Sequence, residues 1–238
     1  MRFNHIFKLT NENETHREYK CDNVNINIDF ISGSALRMAV FNDNAEMLPT
    51  FTVNPNNNLS SLGRSRLSVD GFDCVAPVVE KFENKEKFVL DCGVTVDLDL
   101  NNFILSYNNK ESKLLFGDRA PLAYNFEGEF GNGSYHYITR EDDEHIFGLG
   151  DKSGLINKAG QVYRVETADS MGFDAEKTDP LYKHVPFYIC ENSVGAYGIY
   201  YDTTDTSFVD LGREINNYYC HFKYFKTDDD CLVYYVFF

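Results

Sequence analysis

Apolar and polar residues alternate along much of this chain with a period of two, the spacing of a strand with one buried and one wet face. Val24, Ile26, Ile28 and Phe30 alternate with Asn25, Asn27 and Asp29, and residues 35–41 repeat the pattern. Residues 1–9 alternate more weakly and predict an opening strand. Residues 11–22 are polar and charged and predict a loop, and residues 66–70 predict a return to strand. Residues 87–93 and 94–100 are two alternating runs hinged at Gly93, the place for a bend or bulge. Further runs at 103–107, 114–116, 135–138, 208–211 and 218–225 predict strands. Asn42-Asp43-Asn44 and Asn101-Asn102 supply turn chemistry between them. Residues 54–63, rich in Asn, predict an irregular loop.

No stretch keeps an apolar period of 3.6. About fourteen short strands joined by turns predict an all-β fold, a two-sheet antiparallel β-sandwich. With no internal repeat and no linker, residues 1–238 read as one domain. The last eight residues, 231–238, are all apolar. Left in water, such a β-prone end would be an aggregation hazard. It predicts a buried strand, and a natural chain that continues past it.

A net charge of −15 removes the basic footprint that a nucleic acid or an anionic membrane surface would need. No run approaches membrane-span length, and the first residues lack the apolar core of a signal peptide. Six cysteines at 21, 74, 92, 190, 220 and 231 include no C-x-x-C pair. Zinc and dithiol spacings are thus absent, and buried free thiols in a reducing cytoplasm are expected. No phosphate loop and no nucleophile–base signature occurs, so no cofactor and no metal are expected. Residues 140–144 form a charged run that predicts a solvated turn.

Residues 146–202 hold the strongest local signals. Two strand-like pairs flank a polar loop of about twenty residues, a length usually reserved for function or disorder. In order come Phe147-Gly148-Leu149-Gly150-Asp151, then Asp179-Pro180-Leu181-Tyr182-Lys183-His184-Val185-Pro186-Phe187, then Ala196-Tyr197-Gly198-Ile199-Tyr200-Tyr201-Asp202. Together they resemble the N-terminal β-sandwich domain of glycoside hydrolase family 31, the α-glucosidase and α-xylosidase group, with Asp151 where the family usually has Glu. The resemblance extends more weakly to residues 93–107 and 232–237. It implies a galactose-mutarotase-like supersandwich.

It also implies a parent enzyme that cuts α-glycosidic bonds with retention, using two aspartates in a (β/α)₈ barrel. Such a barrel needs about 250 residues, and retention needs two carboxyls about 5 Å apart. Neither can be assigned in this chain. No catalytic residue is therefore expected here, and the chain alone is expected to be inactive. Its partners would be the catalytic barrel of the same parent chain and an α-linked oligosaccharide.

In the family, an aspartate on this loop reaches over the barrel mouth to sugar hydroxyls. Asp169 occupies that place and is the expected substrate-binding residue. An ionised carboxylate accepts from two hydroxyls, and charge-assisted bonds are the stronger kind; a loop Asp that bonds its own backbone is the plainer alternative. Glu166, Asp174, Glu176 and Asp179 are weaker candidates, and Asp179 before Pro180 is expected to set a turn. Phe173 and Tyr182 could pack on substrate, but aromatic side chains are more often core, and the core is the expectation for both. Two other readings stay open: a stand-alone carbohydrate-binding module, and a mutarotase-like epimerase using a His–Glu pair. An accessory domain would show an apolar surface patch where the barrel docks.

Overall fold

The computed structural model describes residues 6–55, 63–128, 131–216 and 220–238. Among these the chain forms only strands and loops, numbered here in chain order. One sheet has eight antiparallel strands. They run β1 (Lys8–Glu12), β2 (His16–Cys21), β3 (Val24–Ser32), β4 (Ala35–Asn42), β19 (Cys231–Phe237), β15 (Gly195–Tyr201), β14 (Phe187–Asn192) and β12 (His145–Gly148) across the sheet. A five-stranded sheet runs β5 (Val78–Lys81), β6 (Lys85–Val89), β7 (Thr95–Asp99), β8 (Ile104–Asn108) and β9 (Leu114–Gly117). A third sheet orders β10 (Tyr124–Gly128), β11 (Gly131–Thr139), β18 (Cys220–Thr227), β16 (Ser207–Asp210) and β13 (Val162–Val165), with β17 (Ile215–Asn216) paired to β18.

The two smaller sheets meet at an antiparallel bridge between Asp118 and Ile138. They share one apolar core with the eight-stranded sheet, so the fold is an all-β sandwich with one layer built from two sheets. Stacked rings tie the layers: Tyr201 on Phe225 at 3.7 Å, and Phe116 on Tyr197 at 3.9 Å. Each such buried ring contributes on the order of 2 kcal/mol of burial free energy. The apolar C-terminal run is β19, enclosed between β4 and β15, as its composition predicts.

Two local readings need correction. Residues 11–22 are not a loop: β1 reaches Glu12 and β2 covers His16–Cys21. The inward positions of β2 are Arg17, Tyr19 and Cys21, so its buried face does not look apolar. Tyr19 finds a polar partner there, donating to Glu86 at 2.8 Å. Residues 66–70 are not a strand. Their carbonyls are taken by Arg37, whose guanidinium donates to Arg66 O, Leu67 O and Ser68 O at 2.6, 2.8 and 2.7 Å. This segment lies on the outer face of the eight-stranded sheet, where Leu67 and Phe72 pack near Ala39 and Tyr235. Most of the predicted 54–63 loop lies outside the described residues.

Candidate functional site

The site grows from a turn at the end of β12. Gly148 has φ +126, Leu149 has φ 63 and Gly150 has φ 67. A side chain at Gly148 would bring its Cβ within 2.5 Å of Phe187 O, so only glycine fits. Leu149 tolerates its left-handed backbone because its side chain is buried and its N–H donates to Phe187 O at 2.7 Å. This turn launches a first loop, residues 151–161, which returns as β13. A second loop, residues 166–186, then leads into β14.

Polar stitches hold the bases of both loops. Lys152 donates to Asp179 at 2.9 Å and also to Arg164 O. The other oxygen of Asp179 accepts the Arg164 N–H. Lys158 Nζ donates to Ser153 O at 3.2 Å and stands over the Tyr163 ring at 5.3 Å. Burial pushes its ammonium below the usual lysine range. The Ala168 N–H donates to Leu181 O at 3.1 Å, Ser170 Oγ to Pro180 O at 2.7 Å, and Tyr182 OH to Ser170 O at 3.0 Å. The Gly154 N–H donates to Ala175 O at 2.9 Å, joining the first loop to the second.

Above these bases the second loop stands in solvent. Asp169 is exposed, and its carboxylate makes no hydrogen bond or ion pair among the described residues. Three neighbouring acids are occupied instead. Glu166 pairs with Arg164 at 2.8 Å, Asp174 accepts the Glu176 N–H at 2.8 Å, and Asp179 is held as above. Glu176 is exposed on the same loop and is likewise free among the described residues. The two loops also expose large apolar side chains. Leu155, Ile156 and Met171 are 78%, 79% and 88% exposed. Phe173 and Tyr182 are not in the core, contrary to expectation: they are 51% and 44% exposed. Their rings meet edge to face at 6.4 Å.

Neither His136 nor His184 pairs with a glutamate among the described residues. His136 is buried, bonded to Asp118 at 3.0 Å and to Tyr201 at 3.0 Å. His184 binds the backbone of Asp205. The charged run at 140–144 is solvated only in part. Glu144 is buried, and both its oxygens accept from Lys223, at 2.7 and 2.6 Å. The signal for that pair lay in β18, where Lys223 sits among Phe222, Tyr224 and Phe225, but one strand does not reveal its partner. Of the cysteines, Cys21, Cys190 and Cys231 are buried free thiols, whereas Cys92 is exposed. No group of three or more potential metal ligands converges among the described residues.

Comparison with known proteins bears directly on this arrangement. Residues 25–210 match the family described as the glycosyl hydrolase 31 N-terminal galactose mutarotase-like domain. Over 131 residues, 55% of this chain and 16% of the relative, the sequence is 25% identical to α-glucosidase 2 of Bacillus thermoamyloliquefaciens. A GH31 dextranase of Flavobacterium johnsoniae, solved with glucose, superposes with a TM-score of 0.76 at 21% identity. That match covers 100% of this chain and 26% of the dextranase. A cycloalternan-forming enzyme of Listeria monocytogenes, solved with a pentasaccharide substrate, gives 0.71 at 17% identity. There the match covers 98% of this chain and 21% of the enzyme.

Proposed function

This chain belongs to the glycosyl hydrolase 31 N-terminal galactose mutarotase-like domain family, and we propose that it is the accessory domain of a retaining α-glycosidase. In this reading it packs on a catalytic barrel of the same parent chain. Its second loop leans over the substrate, and Asp169 accepts hydrogen bonds from hydroxyls of an α-linked oligosaccharide. The bond-breaking carboxylates belong to the barrel.

One observation carries the reading: Asp169 has an unpartnered carboxylate on a loop that also exposes Met171 and Phe173, and the first loop, tied to it through the Gly154 N–H and Ala175 O, exposes Leu155 and Ile156. Apolar side chains on an outward loop are costly in water and are stabilised by covering them with another surface. A carboxylate left free among them can bond whatever lies in the covered space, in a setting drier and stronger than bulk water. The epimerase reading finds no such support, because His136 is enclosed and bonded on both ring nitrogens, and His16, which does contact Glu18, is likewise bonded on both.

Incubating this chain alone with a chromogenic α-glucoside, and separately following glucose anomer exchange by polarimetry, tests the division of labour. Neither reaction should run above background. Turnover of the glucoside would place cutting chemistry in these strands and contradict the accessory role.

A further inference from the structure

The five-stranded sheet sends Phe88, Val96, Leu98, Leu105 and Tyr107 into the core. The period of two then turns the intervening residues outward. Lys87 of β6, Asp97 and Asp99 of β7, and Ser106 and Asn108 of β8 line a groove of about 560 Å³ across this face. Phe82, 61% exposed, and Leu114 also line it. A volume of this size is in the usual range for small-molecule sites.

The lining is chemically mixed. Asp97 accepts from Asn108 Nδ2 at 2.8 Å with one oxygen and keeps the other free among the described residues. Lys85 and Asp99 are 3.9 Å apart, too far for a hydrogen bond. Lys87 Nζ and Ser106 Oγ have no partner among the described residues. Lys85 and Lys87 stand against Asp97, Asp99 and Glu86, of which Glu86 is buried and accepts from Tyr19 OH, so the groove carries no cationic field to select an anion. A neutral polyol is the ligand that suits this face. Its hydroxyls can donate to Asp97, accept from Lys87 and do both with Ser106. The C–H faces of its rings can rest on Phe82 and Leu114.

We propose that this groove is a carbohydrate-binding site for a short, neutral α-linked oligosaccharide, and that it holds glycan independently of the Asp169 loop, with which it shares no residue. The choice of an α-linked sugar rests on the family reading above; the preference for a neutral polyol rests on the groove itself.

Calorimetric titration of this chain with maltotetraose and with isomaltotriose, backed by amide NMR shifts, tests the site. Saturable binding to at least one sugar is expected, with shifts centred on Asp97, Ser106 and Asn108. Phe82→Ala and Asp97→Ala should each weaken it by about tenfold or more, with unchanged melting temperatures showing that both variants fold. Lys20→Ala, on β2 and outside the groove, should leave affinity on the isolated chain unaltered. No binding of either sugar overturns the proposal, as does binding indifferent to both groove variants. Loss of binding in Lys20→Ala, or tighter binding of a sulfated oligosaccharide than of the neutral ones, overturns it as well. Loss of the groove would leave the accessory role of Asp169 standing, because that role is read from kinetics of the parent enzyme.

Discussion

Lys152 and Asp179 face each other at 2.9 Å across the base of the two loops, and the lysine side chain is wholly enclosed. The lysine comes from the first loop and the aspartate from the second. It also donates to Arg164 O, so one ammonium ties three stretches of backbone together. Lys152→Ala would strand the Asp179 carboxylate in a half-buried setting. A loss of roughly 1–3 kcal/mol of stability is expected. Hydrogen exchange should quicken at Ala168, whose amide depends on the same loop base. Unchanged exchange there would show that the loop holds its shape without the pair.

A second ion pair, Lys223 with Glu144, sits at 2.6 Å within the sandwich, with Tyr197 OH accepting from the same ammonium at 2.7 Å. Removing one charge leaves the other buried alone. Glu144→Leu should therefore cost about 3–5 kcal/mol in urea unfolding. Adding Lys223→Met should recover much of that loss, because two apolar side chains can replace a buried pair at little net cost. A double variant as unstable as the sum of the single ones would contradict this.

His16 gives the domain a pH dependence of definite sign. Its Nδ1 bonds Asp29 at 2.6 Å and its Nε2 bonds Glu18 at 2.9 Å. Arg37 holds the other oxygen of Asp29 at 2.7 Å. The hydrogen bond to Asp29, assisted by Glu18, raises the imidazole above its ordinary 6.5 despite partial burial. The charged ring thus contributes stability that is fully present below about 6.5 and lost as pH rises through the higher folded value. Melting followed from about pH 5.5, below the ordinary histidine value, upward to about pH 8.5 should show a decline on the order of 1 kcal/mol. His16→Gln should remove that component. A decline of the same size in His16→Gln would assign it elsewhere.

The fold was legible because most core strands keep one apolar face, as Val24, Ile26 and Ile28 do in β3. Where an inward position is polar, the pattern fails. Arg17 hid β2, and Glu144 looked like solvated charge because its partner Lys223 lies 79 residues away. Residues 66–70 failed for the opposite reason. They alternate like a strand, but Arg37 from another strand claims their carbonyls. The loop motifs around Gly148 and Asp179 were visible as residue order. That Asp179 is held by Lys152 while Asp169 stays free is a matter of three-dimensional placement that no local pattern encodes. The aromatic residues beside them show the same limit: composition places Phe173 and Tyr182 inside, and the loop places them outside.

The role we propose for this domain is glycan recognition through the free carboxylate of Asp169. The most direct measurement is kcat/KM on a short α-glucan for the enzyme in which this domain is joined to its catalytic barrel, with and without Asp169→Ala. The loss of charged hydrogen bonds should lower it by roughly 2–4 kcal/mol in transition-state terms, with the variant's melting temperature unchanged. Kinetics identical to the unsubstituted enzyme would contradict the account.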